Sequence, residues 1–178
     1  MDSKVLESRE YADKFDLMAN SPQERREFLK AAKELLQHRS GQNGEDLYLY
    51  NRDRQTWVKS VTGSKPGTPE YTEEIFNAIK KAKEKGEQVV AFHNHPGSMP
   101  PSAADINAAL QNGYSAGYVL CHDGTIYKYS APKTKIIDAI YNKRVDSFKK
   151  TGYNEGDAQR KALEYLSELY DFSFREVK

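Results

Sequence analysis

Residues 92 to 105, FHNHPGSMPPSAAD, hold two of the chain's four histidines one residue apart, followed by three prolines, a serine and an aspartate. Residues i and i+2 of a strand project to the same side. If the apolar run QVVAFH is a strand, His93 and His95 can therefore face one ion. Asp105, in the first turn of a following helix, supplies a third and anionic ligand. Three protein ligands with a fourth position open to water is the usual arrangement of a hydrolytic zinc site. Pro96, Pro100 and Pro101 reduce the entropy lost when the intervening loop adopts a single shape. The parts have ordinary readings too. A histidine at a strand end is commonly a surface or satisfied core residue, and Ser102 with Asp105 is also an ordinary helix capping box. The combination on a strand, loop and helix points to metal chemistry, and capping and ligation can coexist at Asp105.

Periodicity gives the elements that must position these residues. The first forty residues read as helices. Ser21 is a cap, Pro22 suits the first turn and Glu24 can close a capping box. Phe28, Leu29, Ala32, Leu35 and Leu36 recur at helical spacing, and Gly41 and Gly44 end the helix. Leu47 and Leu49 alternate with Tyr48 and Tyr50 in a strand, NRDR turns, and Thr56 to Val61 form a second strand. TGSKPGTPE is a loop. A helix runs from about Tyr71 to Lys85 with an apolar face of Ile75, Phe76 and Ile79. QVVAFH is the buried strand, and a short helix extends from after Ser102 to near Gly113. AGYVLCHDGTIYKYS is a hairpin, with Asp123-Gly124 suited to a type I′ turn. Two helices follow, and the tail DFSFREV is a further strand. Most of the twelve tyrosines read as half-buried positions. The order implies an α/β three-layer fold with helical flanks. Residues 1–40 are a helical extension, 41–133 the core, and 134–178 helices packing on it.

The stretch AFHNHPGSMPPSAADI resembles the JAMM (MPN+ or JAB) zinc metallopeptidases, and most of all their RadC-like branch, where His-Asn-His-Pro is typical. The stretch HRSG…EDLYLYN with this motif is also similar to JAB domains of phage head-morphogenesis proteins. The resemblance covers roughly residues 44 to 130. It implies a mixed β-sheet flanked by helices, the JAB/MPN (cytidine-deaminase-like) fold, with extra helices at both ends. It implies Zn2+ bound by His93, His95 and Asp105, and Ser102 stabilising a tetrahedral intermediate. It also requires an upstream glutamate as general base, about fifty residues before the histidines. Glu45 stands there, with Glu70, Glu73 and Glu74 as weaker rivals. One departure is plain: nine residues separate His95 from Asp105 where the family usually has ten. A tighter loop with the metal retained is expected. The dispersed motif of the nuclease called HNH is unrelated.

The implied reaction is hydrolysis of a peptide or isopeptide bond by metal-activated water. A non-catalytic JAB-fold binding module, or a RadC-like or phage-associated factor, is the competing reading, and a full set of Glu45, His93, His95, Asp105 and Ser102 argues for activity. Substrates that fit are a ubiquitin-like tail, a peptidoglycan peptide or a polyprotein junction. A net charge of +1 argues against nucleic acid as a partner. No apolar run approaches the roughly 20 residues of a membrane span. The N-terminus lacks a secretory signal's apolar centre, so a cytoplasmic protein is expected, or part of a larger phage or toxin polyprotein. The single cysteine excludes an internal disulfide and a cysteine zinc site; Cys121 reads as a small buried apolar residue. His38 lies at a helix C-terminus with no chemistry assigned, His122 reads as exposed beside the hairpin turn, and Lys80 to Lys85 as a solvated helix face.

Overall fold

The computed structural model describes residues 3–61 and 67–178; the first part of the TGSKPGTPE loop lies outside them. Two short helices, α1 (Ser3–Leu6) and α2 (Arg9–Asp13), and a 3-10 turn (Lys14–Leu17) precede α3 (Pro22–His38). Ser21 caps α3 by accepting the Glu24 N–H at 3.1 Å. Glu24 does not close the expected box on Ser21: its carboxylate takes the Asn20 N–H and pairs with Arg52 at 2.9 Å.

Strands β1 (Leu47–Asn51) and β2 (Thr56–Ser60) form a hairpin, followed by α4 (Glu73–Lys85), β3 (Val89–His95), α5 (Ala103–Asn112), β4 (Ala116–Cys121) and β5 (Ile126–Tyr129). Helices α6 (Asp138–Lys150) and α7 (Glu155–Tyr170) and the strand β6 (Phe174–Glu176) complete the chain. The six strands make one mixed sheet in the order β2-β1-β3-β4-β5-β6, with β3 and β4 parallel and the other neighbours antiparallel. A parallel pair needs a crossover, and α5 supplies it.

Helices cover both faces of the sheet. Tyr48, Tyr50, Val90, Phe92, Tyr118 and Leu120 join one core with Phe28, Leu35 and Leu36 of α3. Leu47, Leu49, Ala91, Val119 and Cys121 join the other with residues of α4 to α7. This bears on a difference from the sequence reading: nine tyrosines are buried rather than half-buried, and five of them, Tyr48, Tyr50, Tyr118, Tyr127 and Tyr129, sit on strands whose two faces both meet helices. Phe28 packs edge-on to Tyr50 and Phe92, with ring centroids 5.1 and 4.8 Å apart.

Two local expectations are corrected. Phe76 is not on the buried face of α4; it is 53% exposed and lies against Tyr71. The β4–β5 turn is not type I′, which needs positive φ at both Asp123 and Gly124. Only Gly124 has it, at +90°. The Gly124 N–H reaches back to Cys121 C=O at 3.0 Å and Cys121 N–H bonds Thr125 C=O at 2.9 Å, while Asp123 accepts the Thr125 N–H at 2.9 Å. The loop is thus one residue longer than a two-residue turn. A Cβ at Gly124 would stand 2.4 Å from Val5, so the turn also seats α1. Among the described residues no helix is long and apolar enough to cross a membrane.

Candidate metal centre

His93 and His95 close β3 on the α4–α7 face, the parity shared with Val89 and Ala91. Their Nε2 atoms lie 3.1 Å apart. Asp105 reaches them from the first turn of α5, with Oδ1 3.3 Å from His93 Nε2 and Oδ2 3.7 Å from His95 Nε2. One ligand atom from each of the three lies within 4.8 Å of the others, so the cluster could hold a metal ion. The loop of nine residues therefore still delivers the aspartate.

Two members of the cluster are oriented by a contact outside it. His95 Nδ1 lies 2.9 Å from Met99 C=O; a carbonyl only accepts, so Nδ1 carries the proton and Nε2 keeps its lone pair for a metal. Asp105 Oδ2 accepts from the Ser102 N–H at 2.7 Å and from the Ser102 hydroxyl at 2.8 Å. That leaves Oδ1 as the free ligating oxygen. The loop is fixed from outside: Ser98, in the left-handed region at φ +53°, donates its N–H to His95 C=O at 3.1 Å and takes the Asp123 N–H on its Oγ at 3.1 Å.

Glu45 comes to the same place from the end of the neighbouring strand. β1 runs antiparallel to β3, and their pairing ends with Leu47 opposite His93; Glu45, two residues earlier, shares a cleft with His95. It lines a cleft of about 280 Å³ with His95, Ser102 and Asp105, which Thr68, Met99 and Gln159 also line. Glu73 and Glu74 instead line a separate groove between β2 and α4, and Glu70 is exposed. Gln159 is on α7 and was not singled out by sequence; an exposed-face glutamine carries no local signal of a cleft.

The electrostatics match a site prepared for a cation. Burial raises the Glu45 carboxyl to about 7, with Asp105 adding to the rise and His93 opposing it. Burial and the charge on His93 lower His95 to about 4. For His93, burial acts downward, but the charge and hydrogen bond of Asp105 outweigh it and the net shift is upward. For Asp105, burial acts upward, and the two histidines with the Ser102 N–H carry it well below the usual carboxylate range. Without metal, the Asp105 carboxylate 3.3 Å from His93 Nε2 favours a proton on that imidazole, and a metal must displace that proton. His95 is already neutral at pH 7. Metal affinity should therefore rise with pH, and uptake should release up to one proton from His93. Calorimetry in buffers of different ionisation enthalpy measures that number; no release would show that His93 is neutral beforehand.

The serine has a structural task that sequence alone left open. Its Oγ caps α5, accepting the Asp105 N–H at 3.3 Å, while its proton orients the ligand. Ser102→Ala should lower zinc affinity about 10- to 100-fold and cost about 1 kcal/mol of stability. Chelator competition and thermal melts read the two separately, and an unchanged affinity would show that the serine does not orient the carboxylate for a metal.

Of the other singled-out residues, Cys121 is fully buried. His38 Nδ1 is 2.7 Å from the buried Asp46 carboxylate, so it anchors that carboxylate rather than standing apart. His122 is half-buried and accepts from Asn94 at 3.4 Å. No family model matches this chain, and no curated protein matches it. The class that fold and site define is an α/β protein with a six-stranded mixed sheet and a His-His-Asp cluster able to hold a metal ion.

Proposed function

We propose that the chain is a zinc-dependent peptidase or isopeptidase of the JAMM type with a JAB/MPN fold. The observation that carries this reading is the convergence of His93, His95 and Asp105, two of which, His95 and Asp105, line one cleft with Glu45. Two neutral imidazole nitrogens and one carboxylate oxygen suit zinc, which accepts nitrogen and oxygen donors in a tetrahedral set with one position open. Zinc held there supplies Lewis acidity that brings the pKa of water from about 15.7 to about 7.

The chain's own groups do the rest. Glu45, which lines the same cleft as His95 and Asp105, would take a proton from the attacking water and return it to the leaving amine. Ser102 lines the same cleft. Turning its proton from Asp105 Oδ2 towards the substrate is how it would stabilise a developing oxyanion. Thr68, Met99 and Gln159 line the same cleft, and Gln159 would give α7 a part in selecting the substrate. An amide in an extended protein or peptide segment fits a cleft of about 280 Å³ better than a folded surface does. The test is cleavage of a library of peptides and isopeptide-linked conjugates, including ubiquitin-like tails and peptidoglycan peptides, by the zinc-loaded protein. Binding of one library member without cleavage, unchanged in Glu45→Gln, would favour the binding module instead.

A further inference from the structure

Asn94, between the two histidines, points to the opposite face of β3 and is fully buried. Its side-chain amide makes two hydrogen bonds to the main chain beside Glu45. Oδ1 accepts the Asp46 N–H at 2.9 Å, and Nδ2 donates to the Gly44 C=O at 3.0 Å. The amide orientation is set by these partners, since a flip would oppose donor to donor and acceptor to acceptor. The second Nδ2 proton faces His122 Nε2 at 3.4 Å. The β1–β3 register ends at Leu47 and His93, so the backbone at residues 44 to 46 lies beyond it. There the Asn94 amide stands in for a peptide unit and extends the pairing by side chain.

We infer that Asn94 is a positioning residue for Glu45: it clamps the backbone on both sides of that glutamate and so sets where its carboxylate stands in the metal cleft. This rests on the reading of Glu45 as general base. The flanking residues show the same purpose. The Asp46 carboxylate, fully buried, is held by Arg39 at 2.6 and 2.7 Å and by His38 at 2.7 Å, which ties the segment to the end of α3. A Cβ at Gly44 would stand 2.7 Å from Arg39 Nη1, so a side chain there would press on the guanidinium that holds Asp46. With residues 44 and 46 fixed, the intervening Glu45 projects to the other face, towards His93 and His95. The arrangement couples the two halves of the site through one strand: alternate residues of His93-Asn94-His95 furnish ligands on one face and hold the base's backbone on the other. A misplacement of about 1 Å can cost about 10²-fold in rate, so a clamp of this kind has a kinetic consequence.

The test compares zinc-loaded parent, Asn94→Ala and Asn94→Thr by crystallography, zinc content and kinetics on whichever amide the parent cleaves. Asn94→Ala should keep one zinc per chain, show the Glu45 carboxylate displaced, and lose about 10- to 100-fold in kcat with KM within about twofold. Asn94→Thr, whose hydroxyl can meet one of the two backbone groups, should lose less; if the alanine variant does not fold, it decides alone. Phe28→Leu, which loosens the same sheet face at a distance from the cleft, controls for stability. An equal fall in its kcat at an equal loss of melting temperature would reduce Asn94 to a structural role and overturn the inference. So would a Glu45 carboxylate that stays in place in Asn94→Ala. Parental cleavage by Glu45→Gln would instead sink the general-base reading, and the clamp's kinetic purpose with it. The displacement seen in the crystals is independent of any substrate and keeps the two failures apart.

Discussion

Glu45→Gln is expected to keep the fold and the zinc and to lose amide hydrolysis by about 10²-fold or more. The exchange is nearly isosteric, and glutamine cannot take a proton from water at neutral pH. A positioned acid–base group is commonly worth about 10² to 10⁴ in rate. Zinc should stay, because His93, His95 and Asp105 form the cluster without Glu45. Glu74→Gln is the control, since Glu74 lines the groove beside β2. Zinc analysis and turnover on the same preparations check both. Full activity in Glu45→Gln would remove it from the mechanism.

The same variant should also change stability, in a direction opposite to its effect on rate. The Glu45 carboxyl titrates at about 7 in the folded chain against an ordinary 4.5, chiefly because burial penalises its charge. The folded state thus holds the proton more tightly than the unfolded state between those values. Stability of the metal-free protein falls as pH rises through that window and stays lower above it. Glutamine carries no charge to bury. Metal-free Glu45→Gln should therefore be more stable than the parent at pH 8, by on the order of 2 kcal/mol, and nearly equal to it at pH 4. Melts of chelator-treated protein at both pH values test this, and equal curves at pH 8 would show that the carboxylate is solvated.

The double variant His93→Ala, His95→Ala should reduce zinc from one per chain to background and abolish hydrolysis. Two of three protein ligands are gone, and Asp105 alone offers one oxygen. The parent should gain about 2.7 kcal/mol at free zinc 100-fold above its Kd, and the double variant nothing. Loss of His93 also leaves the Asp105 carboxylate without its partner at 3.3 Å, which destabilises the metal-free chain. Asp105→Asn, close in shape and neutral, separates the loss of metal from that effect. Zinc retained in the double variant, by elemental analysis of protein purified without chelator, would sink the ligand assignment.

Much of the architecture is written in local pattern. Ser21-Pro22 starts α3, and Ser102 starts α5 with its capping box. Continuous apolar residues make β3, and Gly86 and Gly113, with φ of +66° and +72°, end α4 and α5. These signals are readable because caps, turns and periodicity involve residues a few positions apart. The failures share a cause. Phe76 and the half-buried tyrosines were misjudged because burial depends on which helix covers which face, and the β4–β5 turn because α1 and Ser98 pack against it.

The candidate site divides in the same way. His93, His95, Ser102 and Asp105 are legible because one strand, one loop and one helix start bring them together within fourteen residues of chain. Glu45 was reached by resemblance, and its place beside His95 depends on the β1–β3 register, a pairing across nearly fifty residues. Asp46, Arg39 and Gln159 gave no signal at all, and Asn94 entered only as a letter of the His-Asn-His-Pro motif with no task attached. Their parts arise from hydrogen bonds between distant segments and from a helix near the chain's end, and such contacts exist only once both faces of the sheet are covered. The sequence by itself determined which groups could bind a cation and which local elements would carry them; the tertiary structure decided which carboxylate shares their cleft, which oxygen of Asp105 is free, and what holds the backbone around Glu45, because each of these depends on the packing of chain segments remote in sequence.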